Sequence, residues 1–145
     1  MAQHVKHILL AEDNPNDAEL TLTALEEHHL ANEVVLARDG AEALDYLYCR
    51  DAFAGRDSGN PTVVLLDLKM PRVDGLEVLR QIKADPNLRL IPVVVLTSSR
   101  EERDVLESYQ LGVNAYVVKP VNFHEFVNAI KGLWVFWSVL NVVPQ

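Results

Sequence analysis

Short apolar runs alternate along this chain with longer stretches whose apolar residues recur at helical spacing. Ile8-Leu9-Leu10-Ala11 is the first run, and it ends abruptly in Glu12-Asp13. Asn14-Pro15 suits a helix start, with Asn as cap and Pro in the first turn. Ala18, Leu22 and Leu25 carry that helix to about His28. Glu33-Val34-Val35-Leu36-Ala37 reads as a second strand. Asp39 then caps a second helix, Glu42 completes its capping box, and the helix fades near Tyr48. The run Val63-Val64-Leu65-Leu66-Asp67 is too short to be told from buried helix by period alone. Rich in valine and bounded by Pro61 and Pro71, it reads as a strand buried on both faces.

Asp74-Gly75 opens a third helix carrying Leu76, Val78, Leu79 and Ile82, stopped before Pro86. Residues 91–96 form a fourth strand that ends in Thr97-Ser98-Ser99. Two capping boxes compete to start the fourth helix, Ser98 with Glu101 and Ser99 with Glu102. That helix is expected over residues 100–111, closed by Gly112. Residues 113–118 make a fifth strand ending in Lys119-Pro120, and Asn122 with Glu125 caps a last helix. Five strands alternating with five helices predict an α/β domain, a (βα)5 doubly wound five-stranded parallel sheet with helices on both faces. Residues 50–61, with Gly55, Asp57, Ser58, Gly59, Asn60 and Pro61, read as a polar surface loop. It is long for a helix-to-strand connection, either a tolerated insertion or a partner-binding feature.

Composition narrows the function classes. The 145 residues predict one domain, residues 1–145, and 49% hydrophobic content suits a packed core. A net charge of −8 argues against nucleic acid and anionic membrane as partners. Cys49 is the single cysteine, so no internal disulfide forms, and it reads as a small buried or half-buried hydrophobe. The longest uncharged run, residues 132–145, falls short of the about 20 residues a membrane-spanning helix needs. With no signal-peptide pattern, a cytoplasmic location is expected. His4, His7, His28 and His29 read as surface or terminal residues; adjacent His28 and His29 point to different sides of a helix.

In open parallel sheets, ligands bind beyond the carboxyl ends of the strands. Those ends hold Glu12 and Asp13, Asp67, Thr97 and Lys119. Asp67 alone would serve equally well as a turn cap. Three carboxylates brought together raise one another's pKa unless a cation joins them, and hard oxygen donors favour Mg²⁺. Lys119 adds a point positive charge and Thr97 a hydroxyl donor. These are parts that hold a transferring phosphoryl group, with a carboxylate as nucleophile forming an acyl phosphate.

With Lys69-Met70-Pro71 and Asp74-Gly75 after Asp67, Thr97-Ser98 and Lys119-Pro120, the pattern resembles the receiver domains of two-component response regulators, the CheY-like superfamily. The resemblance covers roughly residues 6–131. It implies that Asp67 takes a phosphoryl group from the phosphohistidine of a sensor histidine kinase. Asp13, Asp67 and the Lys69 backbone carbonyl would ligate Mg²⁺, with Glu12 bound through water. Thr97 and Lys119 would contact phosphoryl oxygens, and Tyr116 would be the aromatic switch that turns inward as Thr97 moves. It also implies a small residue at position 98 and a cis Lys119-Pro120 bond. Many relatives carry Met or Asn where Lys69 stands, and a cation there would alter acyl-phosphate hydrolysis in a direction left open. The chain would catalyse only its own phosphorylation and dephosphorylation.

Residues 120–145 leave no room for an effector domain, so output is expected through protein contacts with an unnamed downstream protein. Phe123, Phe126, Val127 and Ile130 give the last helix one apolar stripe. From Leu133 the run Leu-Trp-Val-Phe-Trp-Ser-Val-Leu is apolar nearly all round. This predicts a homodimer built on the last helix and its neighbouring fourth helix or fifth strand, with Trp134 and Trp137 at its interface. Folding back onto the same subunit and a membrane or kinase contact are the alternatives. The long loop and the aromatic tail resemble the small regulators that partner bacterial and cyanobacterial phytochrome histidine kinases, which implies light as the input. Other readings are a phosphorelay intermediate or phosphate sink. A Mg²⁺-dependent aspartyl phosphohydrolase would need a second acid near Asp67. A flavodoxin-like cofactor binder would want a Gly-, Ser- or Thr-rich loop after the first strand.

Overall fold

The structure, a computed structural model, describes residues 7–26, 33–56, 59–107 and 110–130. Its strands are β1 (His7–Ala11), β2 (Glu33–Ala37), β3 (Val63–Asp67), β4 (Val93–Thr97) and β5 (Ala115–Val118). The helices are α1 (Pro15–Glu26), α2 (Gly40–Leu47), α3 (Gly75–Ala84), α4 (Arg100–Glu107) and α5 (Phe123–Ile130). All strands are parallel, in the order β2-β1-β3-β4-β5. The expected (βα)5 fold is therefore present.

Strand side chains alternate between two cores, as the two-residue period requires. Leu9, Val64, Leu66, Val93 and Val95 meet α2 and α3 through Leu44, Leu47, Val78, Leu79 and Ile82. Ile8, Leu10, Leu65, Val94 and Leu96 meet α1 and α5 through Leu25 and Phe126. Every residue of β3 and β4 is buried. Each such aliphatic side chain contributes about 1.5–3 kcal/mol.

Boundaries shift where particular groups claim the backbone. β4 starts at Val93 because the Ile91 amide is spent on a turn to the Leu88 carbonyl (2.9 Å). β5 starts at Ala115 because the Asn114 side chain itself accepts from the Val93 amide at 2.8 Å. The fourth helix does not reach residue 111: Gln110 has φ 51° and Gly112 φ 73°, so the chain has turned out of helical geometry. Ser99 settles the start of α4 by accepting from the Glu102 amide at 3.2 Å. The Ser98 hydroxyl instead donates to the Glu102 carboxylate at 2.7 Å. The other caps form as read: Asn14, Asp39, Asp74 and Asn122 each accept from an amide three residues on.

The described part of the loop after α2, residues 50–56 and 59–61, has structure of its own. It holds a 3₁₀ turn, Asp51–Phe53. The Arg56 guanidinium lies 4.0 Å over the Tyr46 ring and donates to the Tyr46 and Gly59 carbonyls. Among the described residues, no helix is long and apolar enough to cross a membrane. The expected end of α1 at His28 and the aromatic run with Trp134 and Trp137 lie outside the described residues.

Candidate functional site

Strand register carries the chemical residues to one edge of the sheet. Ala11 pairs with Leu66, so Glu12 follows level with Asp67. Asp67 pairs with Leu96, and Thr97 with Val118, so Thr97 and Lys119 stand at the same end. The chain reverses its direction across the sheet between β1 and β3, and this switch point is where doubly wound sheets bind ligands.

Glu12, Asp13 and Asp67 each bring a carboxylate oxygen within 4.8 Å of the others. Glu12 and Asp67 are buried, while Asp13 is exposed. An all-oxygen acidic set with one open side fits a hard divalent cation that keeps some of its water. Lys119 Nζ bridges the group, 3.1 Å from Glu12, 3.0 Å from Asp17 and 3.5 Å from Asp67. Burial first, and the neighbouring Asp67 next, push the Glu12 carboxyl up to about 7 against the pull of Lys119. For Lys119, burial favours the neutral amine, but the hydrogen bonds its ammonium donates to Asp17 and Glu12, with the Asp67 charge, outweigh it and raise its pKa. The lysine is a fixed cation.

Thr97 is fully buried, and its Oγ1 has no hydrogen-bond partner among the described residues. Burying a hydroxyl without a partner costs about 1–3 kcal/mol. Tyr116 is half-buried on β5, level with Val95. The Lys69 ammonium is 81% exposed and turns toward Glu102 on α4, 3.7 Å away. The Lys119-Pro120 bond is cis.

The turn after β3 is fastened from two sides. Gly75 admits close packing: a Cβ there would sit 2.2 Å from the Asp67 carbonyl oxygen. Arg72, with φ 64°, grips Asp39 through Nε (2.9 Å) and Nη2 (3.0 Å). This fork ties the turn that carries Lys69 to the N-cap of α2. The Arg72 guanidinium is the main cause holding the Asp39 carboxyl below its usual range. Sequence reasoning missed both Asp17 and Arg72. Asp17 reaches Lys119 only through the fold, 102 positions along the chain, and the Arg72–Asp39 pair likewise carries no local signal.

Residues 8–131 match the family model of the response regulator receiver domain. The chain belongs to the response regulator receiver family. Response regulator Rcp1 of Synechocystis sp. (strain ATCC 27184 / PCC 6803 / Kazusa) is 40% identical over 139 residues, 96% of this chain and 93% of that protein. A solved structure of the Mn(2+)-bound form of Rcp1 is similar with a TM-score of 0.73, 39% identity and coverage of 97% of this chain and 98% of that one. The bacteriophytochrome response regulator AtBRR is similar with a TM-score of 0.90 and 62% identity, covering 96% of this chain and 99% of that one. The phosphorylated cyanobacterial phytochrome response regulator RcpA is similar with a TM-score of 0.73 and 43% identity, over 92% and 94%. The receiver's acidic pocket is of the kind expected for a phospho-aspartate site.

Proposed function

We propose that this receiver accepts a phosphoryl group onto Asp67 from the phosphohistidine of a phytochrome-type sensor histidine kinase, in a site that takes Mg²⁺. A carboxylate oxygen of Asp67 attacks phosphorus, and the phosphorus–nitrogen bond breaks. Its electron pair stays on an imidazole protonated at the other nitrogen, and an acyl phosphate is left on Asp67. Asp13, Asp67 and the Lys69 carbonyl would hold Mg²⁺, with Glu12 acting through water. When bound, the ion supplies positive charge and orientation to the phosphoryl oxygens.

The chain's own residues do the rest by position. Lys119 offers its ammonium to a phosphoryl oxygen and keeps its proton throughout. Thr97 donates its hydroxyl to another, and Tyr116 follows that movement as the switch. Ser98 leaves room for the group. Hydrolysis restores the carboxylate, so the chain's catalysis is confined to its own phosphorylation and dephosphorylation. The observation that carries this reading is the buried Thr97 hydroxyl, without a hydrogen-bond partner among the described residues, at the edge where Lys119 stands 3.5 Å from Asp67.

The phytochrome assignment is supported by the names of AtBRR and RcpA, and the metal by the Mn(2+)-bound form of Rcp1. A kinase of this kind would place the receiver in the cytoplasm. Output would pass through a homodimer built on the last helix and its neighbouring fourth helix or fifth strand, with Trp134 and Trp137 as anchors. Light scattering tests that part: the wild-type chain is expected as a dimer and Trp137→Glu as a monomer. Transfer from an autophosphorylated phytochrome kinase tests the main reading. Label should pass to the wild-type chain and not to Asp67→Asn; no transfer to either contradicts the kinase assignment.

A further inference from the structure

Asp17 holds the site's lysine as closely as any residue that would use it. Lys119 Nζ is 3.0 Å from Asp17 Oδ2, 3.1 Å from Glu12 Oε1 and 3.5 Å from Asp67 Oδ2. An ammonium has three donors. Asp17 and Glu12 occupy two of them, and Asp67 receives the longest contact. Asp17 stands in the first turn of α1, so this pair draws the ammonium away from the end of β3 toward that helix. A helix dipole also favours an acid in a first turn, but the dipole does not aim the side chain. Here the carboxylate is two-thirds covered and closes on Nζ.

We propose that Asp17 is a positioning residue. It keeps the Lys119 ammonium on the α1 side of the cluster, clear of the space between Glu12, Asp13 and Asp67 where a divalent cation would sit. The inference rests on the reading above that this acidic set binds Mg²⁺. Without Asp17, the ammonium is left with Glu12 and Asp67, the oxygens the metal needs. Lysine and metal then compete for the same carboxylates. Asp17 relieves that competition without giving up the cation that a phosphoryl group requires.

Mg²⁺ titration calorimetry on the full chain tests this with wild type, Asp17→Asn, Lys119→Met, the double variant and Glu19→Gln. Glu19 is an exposed acid two residues along α1 and controls for the loss of a nearby charge. Thermal melting verifies folding, and Lys119→Gln replaces Lys119→Met in the cycle if the latter does not fold. Asp17→Asn should weaken Mg²⁺ binding about fivefold in the wild-type background, a coupling usual for groups in contact. In the Lys119→Met background it should have no more effect than Glu19→Gln. Equal weakening in both backgrounds overturns the proposal, because Asp17 would then act on the metal directly. So does an effect of Asp17→Asn no larger than that of Glu19→Gln. A wild-type chain that binds no Mg²⁺ overturns the reading of the site and this proposal with it, whereas binding without lysine-dependent coupling overturns this proposal alone.

Discussion

Lys119 and Asp67 stand 3.5 Å apart at the ends of β5 and β3, with β4 and its Thr97 between them. The side chain of one edge strand therefore reaches over its neighbour to the centre of the sheet. This geometry gives Asp67 a cation that does not need to diffuse in or reorganise. Lys119→Met should slow phosphorylation by acetyl phosphate about 10²-fold or more, the usual cost of losing one preorganised charge-stabilising group. A phosphorylation time course followed by intact mass checks it.

Thr97 predicts a trade of stability against function. Thr97→Val keeps the shape and removes the buried orphan hydroxyl, so urea unfolding should show a gain of about 1 kcal/mol in the unphosphorylated chain. The same variant should respond to phosphorylation more weakly. A loss of stability would contradict the assignment of that hydroxyl as a reserved donor.

Gly75→Ala probes the turn that carries the acceptor. The added Cβ meets the Asp67 carbonyl oxygen and the Leu68 Cα, both backbone, so the turn has to shift. Overpacking of this kind destabilises by about 1–3 kcal/mol, and urea titration should report it together with slower phosphorylation.

The Arg72–Asp39 fork gives a pH signature. Asp39 has its pKa lowered from 3.8 in the folded chain, chiefly by its hydrogen bonds from Arg72. A depressed carboxyl contributes stability above the unfolded pKa and loses it as pH falls through the folded one. Asp39→Asn should therefore be less stable than wild type at neutral pH, with the gap closing below about pH 4 as the unfolded and then the folded carboxyl take up protons. A gap that stays constant down to the acid limit would contradict this pairing. Thermal melts across that range measure it.

The five-stranded parallel α/β fold and the residues at the sheet edge were legible in the chain because four of the strands are short apolar runs that stop at a chemical residue. Glu12, Asp67, Thr97 and Lys119 each directly follow or end such a run, and parallel pairing brings them to the same end of the sheet. What escaped depended on side-chain reach between distant segments. Asp17 meets Lys119 across 102 positions and Arg72 meets Asp39 across 33, and neither pair shares an element. The rival caps Ser98 and Ser99 were indistinguishable by spacing, and their division of labour required knowing which way the Glu102 carboxylate turns. The loop after α2 is polar in composition, and the Arg56 guanidinium stacked on Tyr46 is a contact that composition does not record.

Incubation with acetyl phosphate and Mg²⁺, read by intact mass and peptide mapping, addresses the site most directly. The wild-type chain should gain the mass of a single phosphoryl group, mapped to Asp67, and Asp67→Asn should gain none. An unmodified wild-type chain, or a phosphoryl group that persists in Asp67→Asn, would contradict the assignment of Asp67 as the acceptor.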